Sequence, residues 1–102
     1  MMKNTQINNK NTVPENVKIF EQITNKMLST YKAKNADYGD SFADTCNEFG
    51  IIAALTRMSD KFLRIKQLAK NTAQVKDEKI EDTLLDLANY AVMTLVWLQS
   101  KQ

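Results

Sequence analysis

The sequence predicts an all-α fold of three long helices and one short one, a helical bundle completed by homo-oligomerisation. Three observations carry this. Apolar residues recur every three to four positions along three long stretches, the spacing that gives an amphipathic helix its stripe. Only two glycines and one proline interrupt the chain, and its β-branched residues never alternate for long, which disfavours a sheet. The run from Asp77 to Met93 sets carboxylates at helical spacing inside an otherwise apolar helix. With 102 residues, 43% of them hydrophobic, the chain is long enough for one domain with a modest core.

Residues 1–11 are polar and Asn-rich, with nothing to bury, and read as a flexible N-terminal arm ahead of a single helical domain over 12–102. Thr12, Pro14 and Glu15 form a helix start: Thr12 can cap, Pro14 suits the first turn, and Glu15 can close a capping box. The first helix should run from Pro14 to Lys34, with Val17, Phe20, Ile23 or Thr24, Met27, Leu28 and Tyr31 as its core stripe. Asn35 to Ser41 should break it, since Gly39 tolerates a positive φ and Asn and Asp bond local amides. A short helix is expected over Phe42–Phe49, stopped by Gly50. A second long helix should follow from Ile51 to Leu68, its core side formed by Ile51, Leu55, Met58, Phe62 and Ile65, with Ala53, Arg57, Asp60 and Arg64 opposite. Lys70 to Lys76 reads as a connector, and Asp77 can cap a third long helix reaching Ser100.

The third long helix has two unlike faces. At about 100° per residue, Ile80, Leu84, Leu87, Ala91, Leu95 and Leu98 share one side, while Glu78, Asp82, Asp86, Asn89 and Met93 share the other. That second side is acidic for three turns and then apolar through Met93, Val96 and Trp97, so another helix or another subunit should cover it. Three long helices and a short one close a full core poorly by themselves. A homo-oligomer is therefore expected, through Leu85, Val92, Met93, Val96 and Trp97.

Composition removes several classes of function. No apolar run approaches the roughly 20 residues of a membrane span and no signal peptide is visible, so a soluble, cytoplasmic protein without a membrane partner is expected. The single Cys46 makes no internal disulfide, which agrees with a reducing compartment and a small buried side chain. A net charge of +2 is too small to argue for duplex nucleic acid. Without histidine, imidazole acid–base chemistry is excluded.

The candidate site residues each carry a plain alternative. Asp82 and Asp86, one turn apart, can share a divalent ion, for which Mg²⁺ with its preference for oxygen ligands and retained waters suits best; otherwise they solubilise an exposed face. Asp60 lies three residues after Arg57 and four before Arg64, a spacing that intrahelical ion pairs explain. Lys61 adds a further cation at that level, giving a cluster suited to phosphate oxygens, with Arg57 and Arg64 able to bind bidentately. In the loop Asp37 to Phe42, Tyr38 and Phe42 could stack on a base and Asp40 could accept from a sugar, though ordinary turn chemistry and a core role for Phe42 account for the same residues. Asn89, on the acidic face, is a further polar candidate.

These residues also carry a resemblance. Tyr38 to Phe42, then Arg57 to Arg64, then Asp77 to Ala91, in that order, look like the first nucleotide-modification-associated domain family, which is small, helical and widespread in phages and bacteria. The likeness spans Met27 to Leu98. More distantly, an acidic helix facing a charged one resembles the all-α nucleoside triphosphate pyrophosphohydrolases of the MazG-like and dimeric dUTPase type, whose acidic residues hold Mg²⁺ on a triphosphate. That likeness implies Asp82 and Asp86 as the second acidic motif and Asp60 as part of the first. The first motif of that group has paired glutamates, whereas this helix offers Asp60 amid Arg57, Lys61 and Arg64. Nucleotide binding survives the comparison better than hydrolysis.

Two classes of function follow, with a third as foil. A Mg²⁺-dependent pyrophosphohydrolase would hold the metal on Asp60, Asp82 and Asp86 and neutralise phosphate with Arg57, Lys61 and Arg64. A non-catalytic binder, such as a phage protein that sequesters a cyclic or signalling nucleotide, would use the same basic residues to grip its ligand. A purely structural oligomer explains the helices but not the charges on covered faces.

Overall fold

The computed structural model describes residues 12–70 and 80–101, together with the backbone but not the side chain of Tyr38. Among the described residues the chain is helical apart from its turns: α1 Glu15–Tyr38, α2 Ser41–Phe49, α3 Ile51–Lys70 and α4 Ile80–Ser100. This is the expected all-α order of three long helices and one short. The arm over 1–11, the connector over 71–76 and the Asp77 cap lie outside the described residues.

Local chemistry explains each boundary. At the start of α1 the Pro14 carbonyl accepts from the amides of Val17 and Lys18, at 3.1 and 3.2 Å. The helix then runs four residues past the expected end at Lys34, because Asn35 and Asp37 keep helical backbone instead of turning away. It stops only where Gly39 takes φ +72° and donates its amide to the Asn35 carbonyl at 3.0 Å. One residue later Asp40 caps α2, its carboxylate accepting from the Ala43 amide at 3.3 Å. Gly50, at φ +76°, closes α2 by donating to the Cys46 carbonyl at 2.7 Å, and its own carbonyl accepts from Ala53 to begin α3.

The chain forms two compact units, residues 1–32 and 33–102. In the first, α1 is described from Glu15 onward. Its expected core stripe is largely open: Phe20 is 69% exposed, Val17, Ile23 and Leu28 are also exposed, and Met27 and Tyr31 are half-buried. A lone helix supplies no second layer for its own stripe.

The second unit has a core. Phe42 and Cys46 of α2, Ala54 of α3 and Trp97 of α4 are buried together, with Ala43, Ala53, Met58, Tyr90 and Met93 packed around them. Ala54 is fully buried, and its small side chain allows close approach of the elements around it. Trp97 fills the centre, and its Nε1–H donates to Asn47 Oδ1 at 2.9 Å. The buried Thr94 hydroxyl donates back to the Tyr90 carbonyl at 2.6 Å. Leu68 and Thr83 are the remaining buried side chains. Among the described residues no buried side-chain nitrogen or oxygen lacks a hydrogen-bond partner.

The covered faces differ from the expected ones. On α3, Ile51, Leu55 and Phe62 are exposed, Met58 and Ile65 are half-buried, and the covered stripe runs Ala54, Met58, Lys61, Ile65, Leu68. On α4, Leu84, Ala91, Leu95 and Leu98 are exposed, and the covered stripe runs Thr83, Leu87, Tyr90, Thr94, Trp97. Toward the end of the acidic-then-apolar side of α4, Trp97 is buried and Met93 half-buried within the chain, while Val96 stays exposed. Trp97 and Met93 therefore belong to the internal core and are not free for the expected intersubunit contact. Apolar residues occupy nearly the whole circumference of the second half of α4, so periodicity alone could not choose the buried side.

Candidate functional site

The charged residues of α3 and α4 meet because the two helices run antiparallel. Residue 57 contacts 90 and residue 61 contacts 86, four steps up one helix and four down the other. The Lys61 ammonium lies 3.3 Å from Asp86 Oδ2, with the two side chains 30% and 50% exposed. One turn away, Arg57 Nη1 donates a long hydrogen bond of 3.5 Å to the Tyr90 hydroxyl, and the guanidinium carbon lies 5.9 Å from the Tyr90 ring centroid. The other side of this arrangement is Phe42, whose ring centroid is 5.7 Å from that of Tyr90 at 39°. Phe42 is buried, so it braces Tyr90 and has no face open for stacking on a base.

Asp40 and Arg57 both act on the Cys46 thiol beneath them. Burial pushes that thiol up from its ordinary range, the Arg57 charge and a backbone hydrogen bond at Ala54 pull it down, and Asp40 pushes it up again. Cys46 is accordingly an uncharged packing residue at neutral pH.

Of the residues singled out from sequence, the structure thus brings Phe42 and Arg57 onto Tyr90, with the Lys61–Asp86 pair one turn away, while Asp40 caps α2. By helical periodicity Asp60 and Arg64 extend the same flank of α3, and Asp82 and Asn89 the same flank of α4. Asp60, Arg64 and Asp82 are exposed and Asn89 is half-buried. The Tyr38 side chain lies outside the described residues. Tyr90 is the residue that sequence reasoning left without a role. A tyrosine among Ala88, Ala91 and Val92, one turn after Asp86, was the available signal, because a part-buried phenol needs a polar partner for its hydroxyl.

The metal candidates fare differently. Among the described residues no three carboxylate, thiol or imidazole groups lie close enough together to hold a metal ion. Asp86 already faces the Lys61 ammonium. Asp60, Asp82 and Asp86 thus form no all-protein cage for a metal, while Mg²⁺ bound through one or two carboxylates and substrate phosphates makes no such demand. What the flank offers chemically is two cations, Arg57 and Lys61, each held by a weak and partly exposed partner. An incoming anion can replace such partners at little cost in stability.

No curated protein and no solved structure matches the chain. The family model described as Nucleotide modification associated domain 1 matches residues 34–98, from the end of α1 through α4. This region includes the whole charged flank and covers well over half of the sequence; the chain belongs to the Nucleotide modification associated domain 1 family.

Proposed function

We propose that the unit spanning residues 33–102 binds an anionic, nucleotide-type ligand on the flank shared by α3 and α4. Arg57, Lys61 and Arg64 would take the phosphate oxygens. Tyr90, Asn89 and Asp40 would offer an aromatic edge and hydrogen-bonding groups to sugar or base. The observation that carries this reading is the paired arrangement of Arg57 with Tyr90 and Lys61 with Asp86, which sets two cations one turn apart on a partly exposed surface. The family's description agrees with a nucleotide context. Sequestration of a cyclic or signalling nucleotide by a protein of phage or bacterial origin is the form of binding that demands least of these residues, since it needs grip and no metal.

Mg²⁺-dependent pyrophosphohydrolysis is the second reading, favoured by Asp82 and Asp86 one turn apart on the same flank. Mg²⁺ needs only one or two carboxylates beside substrate phosphates, which Asp82 and Asp86 would supply. Among the described residues no helix is long and apolar enough to cross a membrane, and the proposed setting is the cytoplasm. The chain is taken to work as a homo-oligomer, since its bundle leaves apolar faces uncovered.

The experiment is incubation with nucleoside triphosphates and cyclic nucleotides, with Mg²⁺ and with EDTA, followed by recovery of the ligand. Binding that EDTA leaves unchanged, with intact nucleotide recovered after hours, supports the binder. Mg²⁺-dependent release of pyrophosphate or phosphate, abolished by Asp86→Asn, supports the hydrolase instead. Binding of no nucleotide overturns both.

A further inference from the structure

We infer that the bare flank of the α3–α4 hairpin, opposite the charged flank, is the surface on which two copies of this chain dimerise. The inference specifies the homo-oligomer proposed above, and it places the contact on another sector of α4 than the sequence suggested.

Six large apolar side chains carry it: Ile51, Leu55 and Phe62 on α3, and Leu84, Leu95 and Leu98 on α4, each between 38% and 55% exposed. Ala91 is exposed among the α4 residues. On each helix these positions follow the buried stripe by roughly 60 to 120° of rotation, and in an antiparallel pair those sectors fall on one side of the hairpin. Arg57, Asp60 and Arg64, with Asp82, Asp86 and Asn89, occupy the opposite sectors. Residues of α2 pack against Ala53, Tyr90 and Met93, on that same charged side. Among the described residues of unit 33–102, the hairpin's other side stays exposed.

Area decides what can occupy the face. A large apolar side chain shows on the order of 200 Å² when fully exposed, so six at about half exposure leave roughly 600 Å² open. Two copies would together bury about 1,200 Å² of it, the lower bound for a specific, stable interface, and a single copy would leave open as much as the largest apolar patch of a typical monomer. The charge pattern selects the occupant. Among the described residues the rim carries Lys66, whose ammonium lies 5.6 Å from the Phe62 ring centroid, and Lys70 on α3, and Glu81 on α4. A lipid surface would call for a rim rich in lysine and arginine. A two-fold dimer calls for a patch complementary to itself, and an apolar face rimmed by charges of both signs meets that demand.

The test is light scattering on the full chain at micromolar concentration, with circular dichroism to confirm helicity. Wild type should give twice the chain mass, and both Leu95→Glu and Phe62→Glu should give the chain mass with helicity retained. If either unfolds, Ala91→Glu at the centre of the face takes its place. Phe20→Glu, on α1, should leave the dimer unchanged. A monomeric wild type overturns both this face and the homo-oligomer reading. A wild-type dimer that survives the flank variants, or falls apart with Phe20→Glu alone, overturns the face while leaving oligomerisation standing. Mass that rises only with anionic phospholipid vesicles overturns the self-docking occupant.

Discussion

Replacing Trp97 separates a core role from an interface role. Its side chain is 4% exposed, sits among Phe42, Cys46 and Ala54, and anchors α2 through the 2.9 Å bond from Nε1–H to Asn47 Oδ1. Trp97→Ala removes the largest side chain of a small core, a change that costs about 3–5 kcal/mol in well-packed interiors. A unit of about 70 residues has roughly 4–10 kcal/mol of stability in all, so this variant should lie near or past the edge of folding. Trp97→Phe keeps much of the volume and frees an exposed Asn47 oxygen for water, so about 1–2 kcal/mol is expected. Asn47→Ala leaves the buried indole N–H without its acceptor and should cost about 1–3 kcal/mol. Urea unfolding followed by far-ultraviolet circular dichroism, at one protein concentration, ranks the three. A loss below about 1 kcal/mol for Trp97→Ala, with the urea slope unchanged, would refute the core described here.

Other expectations concern the cap, the thiol and the ion pair. Asp40→Ala removes the acceptor for the Ala43 amide at the start of α2 and should lower stability by about 1 kcal/mol, whereas Asp40→Asn should retain most of it, as read by thermal melting. Because burial raises the Cys46 thiol, the folded chain holds this proton more tightly than the unfolded one. Its contribution is complete below the ordinary thiol range and is lost as pH rises through the raised value; the urea midpoint should therefore fall between neutral pH and about pH 10, and fall less in Cys46→Ala. A pH response identical in the two proteins would remove Cys46 from the account. Asp86→Asn leaves Lys61 without its partner on a half-exposed surface and should change stability by less than about 1 kcal/mol, a small effect that a melting curve checks.

The fold was legible because its signals are local. Gly39 and Gly50 stop their helices through positive φ, and Asp40 starts one through its carboxylate; each of these acts within a few residues of sequence. α1 outruns the turn signal at Lys34 by four residues because Asn35 and Asp37 favour turns without requiring them. The choice of buried face was not local. Ile51, Leu55 and Phe62 form a sound apolar stripe, as do Leu84, Ala91, Leu95 and Leu98, yet α2 packs beside Ala54 and Trp97, where a small residue and a large one fit together. Periodicity marks a face that something must cover, and in α3 and α4 the faces it favoured are those left open within the chain. The site followed the same division. Arg57, Lys61 and Asp86 were visible from charge spacing within single helices, while the pairing of Lys61 with Asp86 and of Arg57 with Tyr90 depends on which residues face each other across the hairpin.

Calorimetric titration of candidate nucleotides into wild type, Arg57→Ala and Lys61→Ala tests the proposed ligand site most directly. At 100 times its dissociation constant a ligand adds about 2.7 kcal/mol of apparent stability, so a parallel melt of wild type should rise by on the order of 10 °C. The account predicts saturable heat for at least one nucleotide with wild type, loss of most of that affinity in both variants, and apo melting temperatures close to wild type. Affinity unchanged in both variants, or no nucleotide bound by wild type, would contradict it.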